Sequence, residues 1–147
     1  MHAGGEGELA ASAAQHFAKE DFEEKLNNYK VAAGAGDAIA MYALARMYFS
    51  GREISQDYAR AFAWYSKAAA AGHSAAMCRL GWMYEYGCYA AADYRQARKW
   101  YLLAARRGNT DAMYSLERLY SFGLGVKQNF ARAMRWFNRA EEAAHQD

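Results

Sequence analysis

Apolar residues return along this chain at helical spacing, and the whole pattern repeats every 36 residues. In the segment opened by Gly72, the residues Ala76, Met77, Leu80, Gly81 and Tyr84 fall on one face of a helix. Gly87 then offers a left-handed stop, and Asp93 stands where an N-cap belongs. A second apolar stripe follows through Tyr94, Ala97, Trp100, Tyr101, Ala104 and Ala105, and Gly108 closes it. Each unit is therefore predicted to be helix–turn–helix.

Gly36, Gly72 and Gly108 open three such segments that align without a gap. Down the columns run Met41/Met77/Met113, Leu44/Leu80/Leu116, Tyr48/Tyr84/Tyr120 and Trp64/Trp100/Trp136. Asp57, Asp93 and Asn129 share the second cap position. A unit this small buries its apolar face only when a neighbour stacks on it, so the period predicts an all-α solenoid. The register extends upstream. Asp21, Phe22, Tyr29, Ala32 and Ala33 precede Asp57, Tyr58, Tyr65, Ala68 and Ala69 by one period, making residues 21–35 the second helix of a degenerate first unit. Leu9 to Lys19 is then expected to supply its first helix. The domain reading is one solenoid over residues 1–147, with a capping unit at 8–35 and full repeats at 36–71, 72–107 and 108–144.

Composition sharpens this picture. The chain is 54% hydrophobic and 16% aromatic and has no proline, which suits uninterrupted helices. No apolar run approaches the ~20 residues of a membrane span. Met1 to Leu9 lacks the basic flank and apolar stretch of a secretory signal. The expected location is therefore cytoplasmic as the chain stands, or periplasmic if a signal segment had been removed. Residues 1–40 carry a net charge of −4 and residues 41–147 one of +6. That is mild for nucleic-acid binding. Cys78 and Cys88 would lie ~15 Å apart along a straight helix, too far for a disulfide unless the turn folds back, and both read as free thiols.

Catalytic chemistry is not legible. His2, His16, His73 and His145 are scattered, and no Cys-x-x-Cys occurs, so neither a metal site nor a cofactor is expected. Gly123-x-Gly125 is a helix–helix turn, not a phosphate loop following a strand. The expectation is a protein that is not an enzyme.

These columns resemble the Sel1-like repeat (SLR) family, relatives of the tetratricopeptide repeats. The resemblance covers residues 36–144 in full and 21–35 in part. Gly123-Leu124-Gly125-Val126 fits the family turn, whereas the other units have Glu53 and Tyr89 in place of Gly125. Either would be strained at a positive φ, so those turns are expected to differ. Leu116-Glu117 departs from the family's Leu-Gly, placing a carboxylate where helices should nearly touch. The resemblance implies a right-handed α-solenoid of antiparallel helix pairs, three full repeats and a degenerate N-terminal one. It further implies first helices on the concave surface, and an adaptor role in binding other proteins.

Because repeated columns are structural, the informative positions are those that vary between units. On the first helices they lie along one face and present Tyr42, Arg46, Trp82, Tyr86, Tyr114, Arg118 and Phe122, with Arg79 flanking. Tyr, Trp and Arg dominate interface hot spots, and this set suits a peptide or protein partner with acidic and apolar side chains. A narrower alternative is an inhibitor or immunity protein that neutralises a bacterial toxin or hydrolase. A further alternative is RNA binding, against which Glu85 and Asp111 are expected to share the groove. The repeated Trp64, Trp100 and Trp136 read as core. The last helix has Glu141 and Glu142 as a polar cap, and self-association through it follows if Met134 and Phe137 stay uncovered.

Overall fold

A computed structural model describes residues 3–146, and all the regular structure in it is helical. The elements are α1 (Ala3–Gly34), α2 (Ala38–Ser50), α3 (Tyr58–Ala70), α4 (Ser74–Tyr86), α5 (Tyr94–Arg106), α6 (Thr110–Phe122) and α7 (Phe130–Ala144). Helices α2/α3, α4/α5 and α6/α7 form three closely packed pairs, and each pair also packs on its sequence neighbours. This is the solenoid that the 36-residue period requires.

The pairs end where the sequence says they should. Gly51, Gly87 and Gly123 take left-handed conformations with φ of 63°, 63° and 66° and donate their N–H groups back to the preceding helix. The side chains of Asp57, Asp93 and Asn129 accept bonds from the first-turn N–H groups of α3, α5 and α7. Their own N–H groups donate to the carbonyls of Tyr48, Tyr84 and Tyr120 at 2.8–2.9 Å, so the cap also ties each second helix to the end of the first. The first helices carry a second set of caps, Asp37, His73 and Asn109. His73 hides that column from a sequence reader. Its Nδ1 accepts from the N–H of Ala76, which requires an unprotonated nitrogen, and burial lowers its pKa in the same direction. Gly125 takes a φ of +66°, while no non-glycine among the described residues has positive φ, so the turns holding Glu53 and Tyr89 do take another shape.

The N-terminal unit differs from expectation. Leu9 to Lys19 is not a separate first helix, because α1 runs unbroken from Ala3 to Gly34. The column that holds Gly51, Gly87 and Gly123 has Gln15 upstream, and no glycine lies between Gly7 and Gly34 to stop the helix. Asp21 is accordingly an exposed mid-helix residue rather than a cap. Only the second half of α1 acts as the sequence register implies. Ala33 is buried like its column mates Ala69 and Ala105, and with Leu26 and Tyr29 it packs against α2 and Trp64.

The core is built from small residues and rings. Gly81 of α4 lets the Tyr101 ring of α5 lie directly on the helix backbone, and a Cβ there would meet ring carbons at 2.7 Å. In the first pair Ala45 and Tyr65 hold the same two columns, and all four residues are buried. In the third pair Glu117 occupies the column, and the matching ring, Phe137, is left 38% exposed. The repeated tryptophans lie half-buried against the core, with Lys67 over Trp64 and Arg139 over Trp136. Phe130 and Met134 of α7 are exposed as well, so this side of the last helix is uncovered among the described residues.

Candidate functional site

The varying positions of α2, α4 and α6 do share a face, but they divide into anchored and free side chains. Tyr42 is half-buried, stacked on His73 at 4.6 Å and lying 5.7 Å from Tyr65. Trp82 is half-buried too, edge-on to Phe49 at 5.4 Å and beside Tyr86 at 4.7 Å. It therefore packs between neighbouring first helices. Tyr114 donates to Glu141 Oε1 at 2.5 Å, which turns the expected solvent cap inward.

Arg118 and Glu85 overturn part of the sequence reading. Glu85 does not line an open groove, because it is only 5% exposed. Its carboxylate accepts from the Tyr101 hydroxyl at 2.7 Å and from both terminal nitrogens of Arg118, the Nη2–Oε2 bond measuring 2.9 Å. The hydrogen bonds to Glu85 raise the guanidinium pKa further, and burial raises that of the Tyr101 phenol. Arg118 thus clamps α6 to α4 and is not a spare cation for a ligand. Sequence offered no signal for this pairing, since the Glu85 column reads Phe49/Glu85/Ser121 and no neighbouring unit repeats the pair.

The exposed members are Arg46, Arg79, Tyr86 and Phe122, with Ile39 beside them in the same varying set; Arg46 lies over the Tyr42 ring at 5.8 Å and Arg79 interacts with the Tyr42 hydroxyl. Ile39, Tyr86 and Phe122 are 71%, 54% and 70% exposed. Arg46 and Arg79 border a cleft of about 410 Å³ between α1 and α2, which Lys25, Tyr29 and Arg52 also line. Lys25 and Tyr29 were missed from sequence because residues 21–35 were expected to be a second helix, away from the concave surface, and Arg52 because it lies in the turn after α2. A smaller cleft of about 220 Å³ holds Tyr42, Cys78, Arg79, Trp82 and Asp111.

Cys78 and Cys88 are both free and half-buried. Burial, with help from the Asp111 charge, pushes the Cys78 thiol up to about 11. A thiol with that value is about one part in a thousand thiolate at pH 8, too little for a nucleophile. Ellman's reagent at pH 8 is expected to titrate Cys88 first and Cys78 at least about tenfold more slowly, until denaturant equalises them. Equal rates in the native protein would place Cys78 in open solvent. Among the described residues no three His, Cys, Asp or Glu side chains converge as metal ligands would. No helix there is long and apolar enough to cross a membrane.

Stacked helix pairs with an aromatic and cationic face define a helical-repeat scaffold. The Sel1 repeat model matches residues 38–73, 74–109 and 110–145, and the chain belongs to that family. These boundaries fall two residues after Gly36, Gly72 and Gly108. Sel1 repeat proteins generally mediate protein–protein interaction and are typically non-enzymatic scaffolds. Among solved structures, the chain is similar to a protective antigen of uropathogenic Escherichia coli that displays an SLR fold. That match has 35% identity and a TM-score of 0.76, covering 80% of this chain and 25% of the antigen. A Sel1 repeat protein from Oxalobacter formigenes matches at 28% identity and TM-score 0.70, covering 80% of this chain and 55% of that one. Helicobacter pylori cysteine rich protein B matches at 25% identity and TM-score 0.66, over 85% and 90% of the two chains. The chain thus spans about a quarter and about half of the first two relatives. A comparison with curated protein sequences gave no significant match.

Proposed function

We propose that this chain is a non-catalytic interaction module that holds a segment of a partner protein on the face formed by α2, α4 and α6. The observation that carries this reading is the exposure of Ile39, Tyr86 and Phe122 on helices whose other faces are packed, beside the guanidiniums of Arg46, which lies over the Tyr42 ring, and of Arg79, which interacts with the Tyr42 hydroxyl. Apolar and aromatic side chains left open next to arginine are the material of interface hot spots. The segment it suits carries apolar side chains with acidic residues among them.

The test is affinity capture from the source cell with the wild type beside an Arg46→Glu, Tyr86→Ser, Phe122→Ser variant. All three side chains are outside the packed core, so the variant is expected to keep its helical circular dichroism. A protein captured by the wild type and lost by the variant supports the face. Its identity separates the two versions of the role: a scaffolded partner makes the chain an adaptor, and a hydrolase silenced at one-to-one stoichiometry makes it an inhibitor. Equal capture by both proteins would overturn the proposal.

A further inference from the structure

A second site lies on the opposite layer, between the second helices α5 and α7, and is independent of the face proposed above. A cleft of about 510 Å³ there is lined by Arg98 and Arg106 from α5 and by Arg132, Arg135 and Arg139 from α7. Among the described residues no carboxylate lines it. Its floor is Tyr120 and Trp136. Arg132 lies over the Tyr120 ring at 5.8 Å and Arg139 over the Trp136 ring at 4.7 Å. None of the five arginines forms an ion pair among the described residues.

The repeats supply an internal control for what the fold itself demands at these positions. One period upstream the cleft between α3 and α5 has Phe62, Ala70 and Lys99 where Arg98, Arg106 and Arg135 stand. Phe62 fills it, packing on Tyr84 and Tyr89 at 5.6 and 5.2 Å. Two periods upstream the same positions are Leu26, Gly34 and Ala63. The other two arginines do have precedent, because Arg60 and Lys67 cover Tyr48 and Trp64 in the same way. Packing therefore accounts for Arg132 and Arg139 but not for Arg98, Arg106 and Arg135. Like charges gathered in one cleft repel each other, so their presence there costs stability in the free protein.

We infer that this cleft binds a compact polyphosphate anion. Size and charge density select that ligand class. Arg98 to Arg106 spans about 12 Å of helix and Arg132 to Arg139 about 10 Å. An extended acidic peptide places same-face carboxylates ~7 Å apart, so about two would reach the cleft. A phosphate monoester carries about −1.5 to −2 by itself, and several linked phosphates concentrate enough charge for five guanidiniums. Nucleobases have no platform, because Tyr120 is buried and Trp136 is covered by Arg139. The recognised chemistry is therefore the phosphate chain, whether free or as the tail of a nucleotide.

Isothermal titration of the full chain with sodium tripolyphosphate tests this, with ATP, a glutamate-rich peptide and single-stranded RNA as parallel titrants. The comparison protein is Arg98→Phe, Arg106→Ala, Arg135→Lys, which carries residues already present in the α3–α5 cleft and is expected to fold normally. Tripolyphosphate is expected to bind the wild type, and the variant at least about tenfold more weakly. Its binding is also expected to fall steeply with added salt. Equal affinity for ATP would identify the phosphate chain as the recognised part, and tighter binding of ATP would show that the nucleoside is read and overturn the absence of a base platform. Failure of the wild type to bind, undiminished binding by the folded variant, or tighter binding of the peptide or RNA would overturn the proposal.

Discussion

Replacing Arg118 by Met is expected to destabilise the protein by about 3 kcal/mol, as one partner is removed from a buried ion pair. The Glu85 side chain is 2% exposed and loses two of its three hydrogen bonds in that variant, retaining only the Tyr101 hydroxyl. An uncompensated buried carboxylate is what makes such losses large. Arg118 itself is 34% exposed, so water reaches the vacated space and the lower end of the usual range applies. Combining it with Glu85→Gln removes the charge while keeping an acceptor for Tyr101, and the double variant is expected to recover all but about 1 kcal/mol. Urea unfolding followed by circular dichroism measures all four corners of this cycle. Additive losses would mean that Glu85 and Arg118 do not act as a unit.

Gly81→Glu is expected to be more damaging still, costing about 4 kcal/mol or abolishing folding of the middle pair. The Tyr101 ring is fully buried on the Gly81 backbone, and its hydroxyl is held by Glu85, so it has nowhere to move. Displacing it forfeits a large buried ring and breaks the Glu85 network at once. Gly81→Ala should cost only about 1–2 kcal/mol, because better helix propensity offsets part of the crowding. Ala45 and Tyr65 hold these two columns in the first pair and both are buried, so a pair of this kind can accommodate one methyl group. Thermal unfolding of the two variants would rank them, and a Gly81→Glu protein as stable as Gly81→Ala would contradict the packing argument.

Both effects depend on contacts between elements, and that is where sequence reading was weakest. Asp57, Asp93 and Asn129 were legible as caps because a cap acts on its own helix within three residues. Gly51, Gly87 and Gly123 were legible for the same local reason. The face proposed for a partner was legible only as a set of varying positions. Tyr86 and Phe122 are exposed and Arg46 lies over the Tyr42 ring, whereas Tyr42, Trp82, Tyr114 and Arg118 are held by His73, Phe49, Glu141 and Glu85. Variation between units cannot separate a residue kept for a partner from one that fills a contact made only once.

The sequence by itself determined the unit length, the helix pairs, their caps and stops, and membership of a stacked-repeat class, because each is written in contacts that recur every 36 residues. Tertiary structure alone decided the rest. It buried Glu85 and joined it to Arg118 across 33 residues, and it brought arginines of α5 and α7 into one cleft. It also let α1 run straight through the place of a missing turn. The physical reason is common to all three. Local propensity acts along one helix and repeats with the unit, while charge pairing, burial and the orientation of neighbouring helices exist only once the units are stacked.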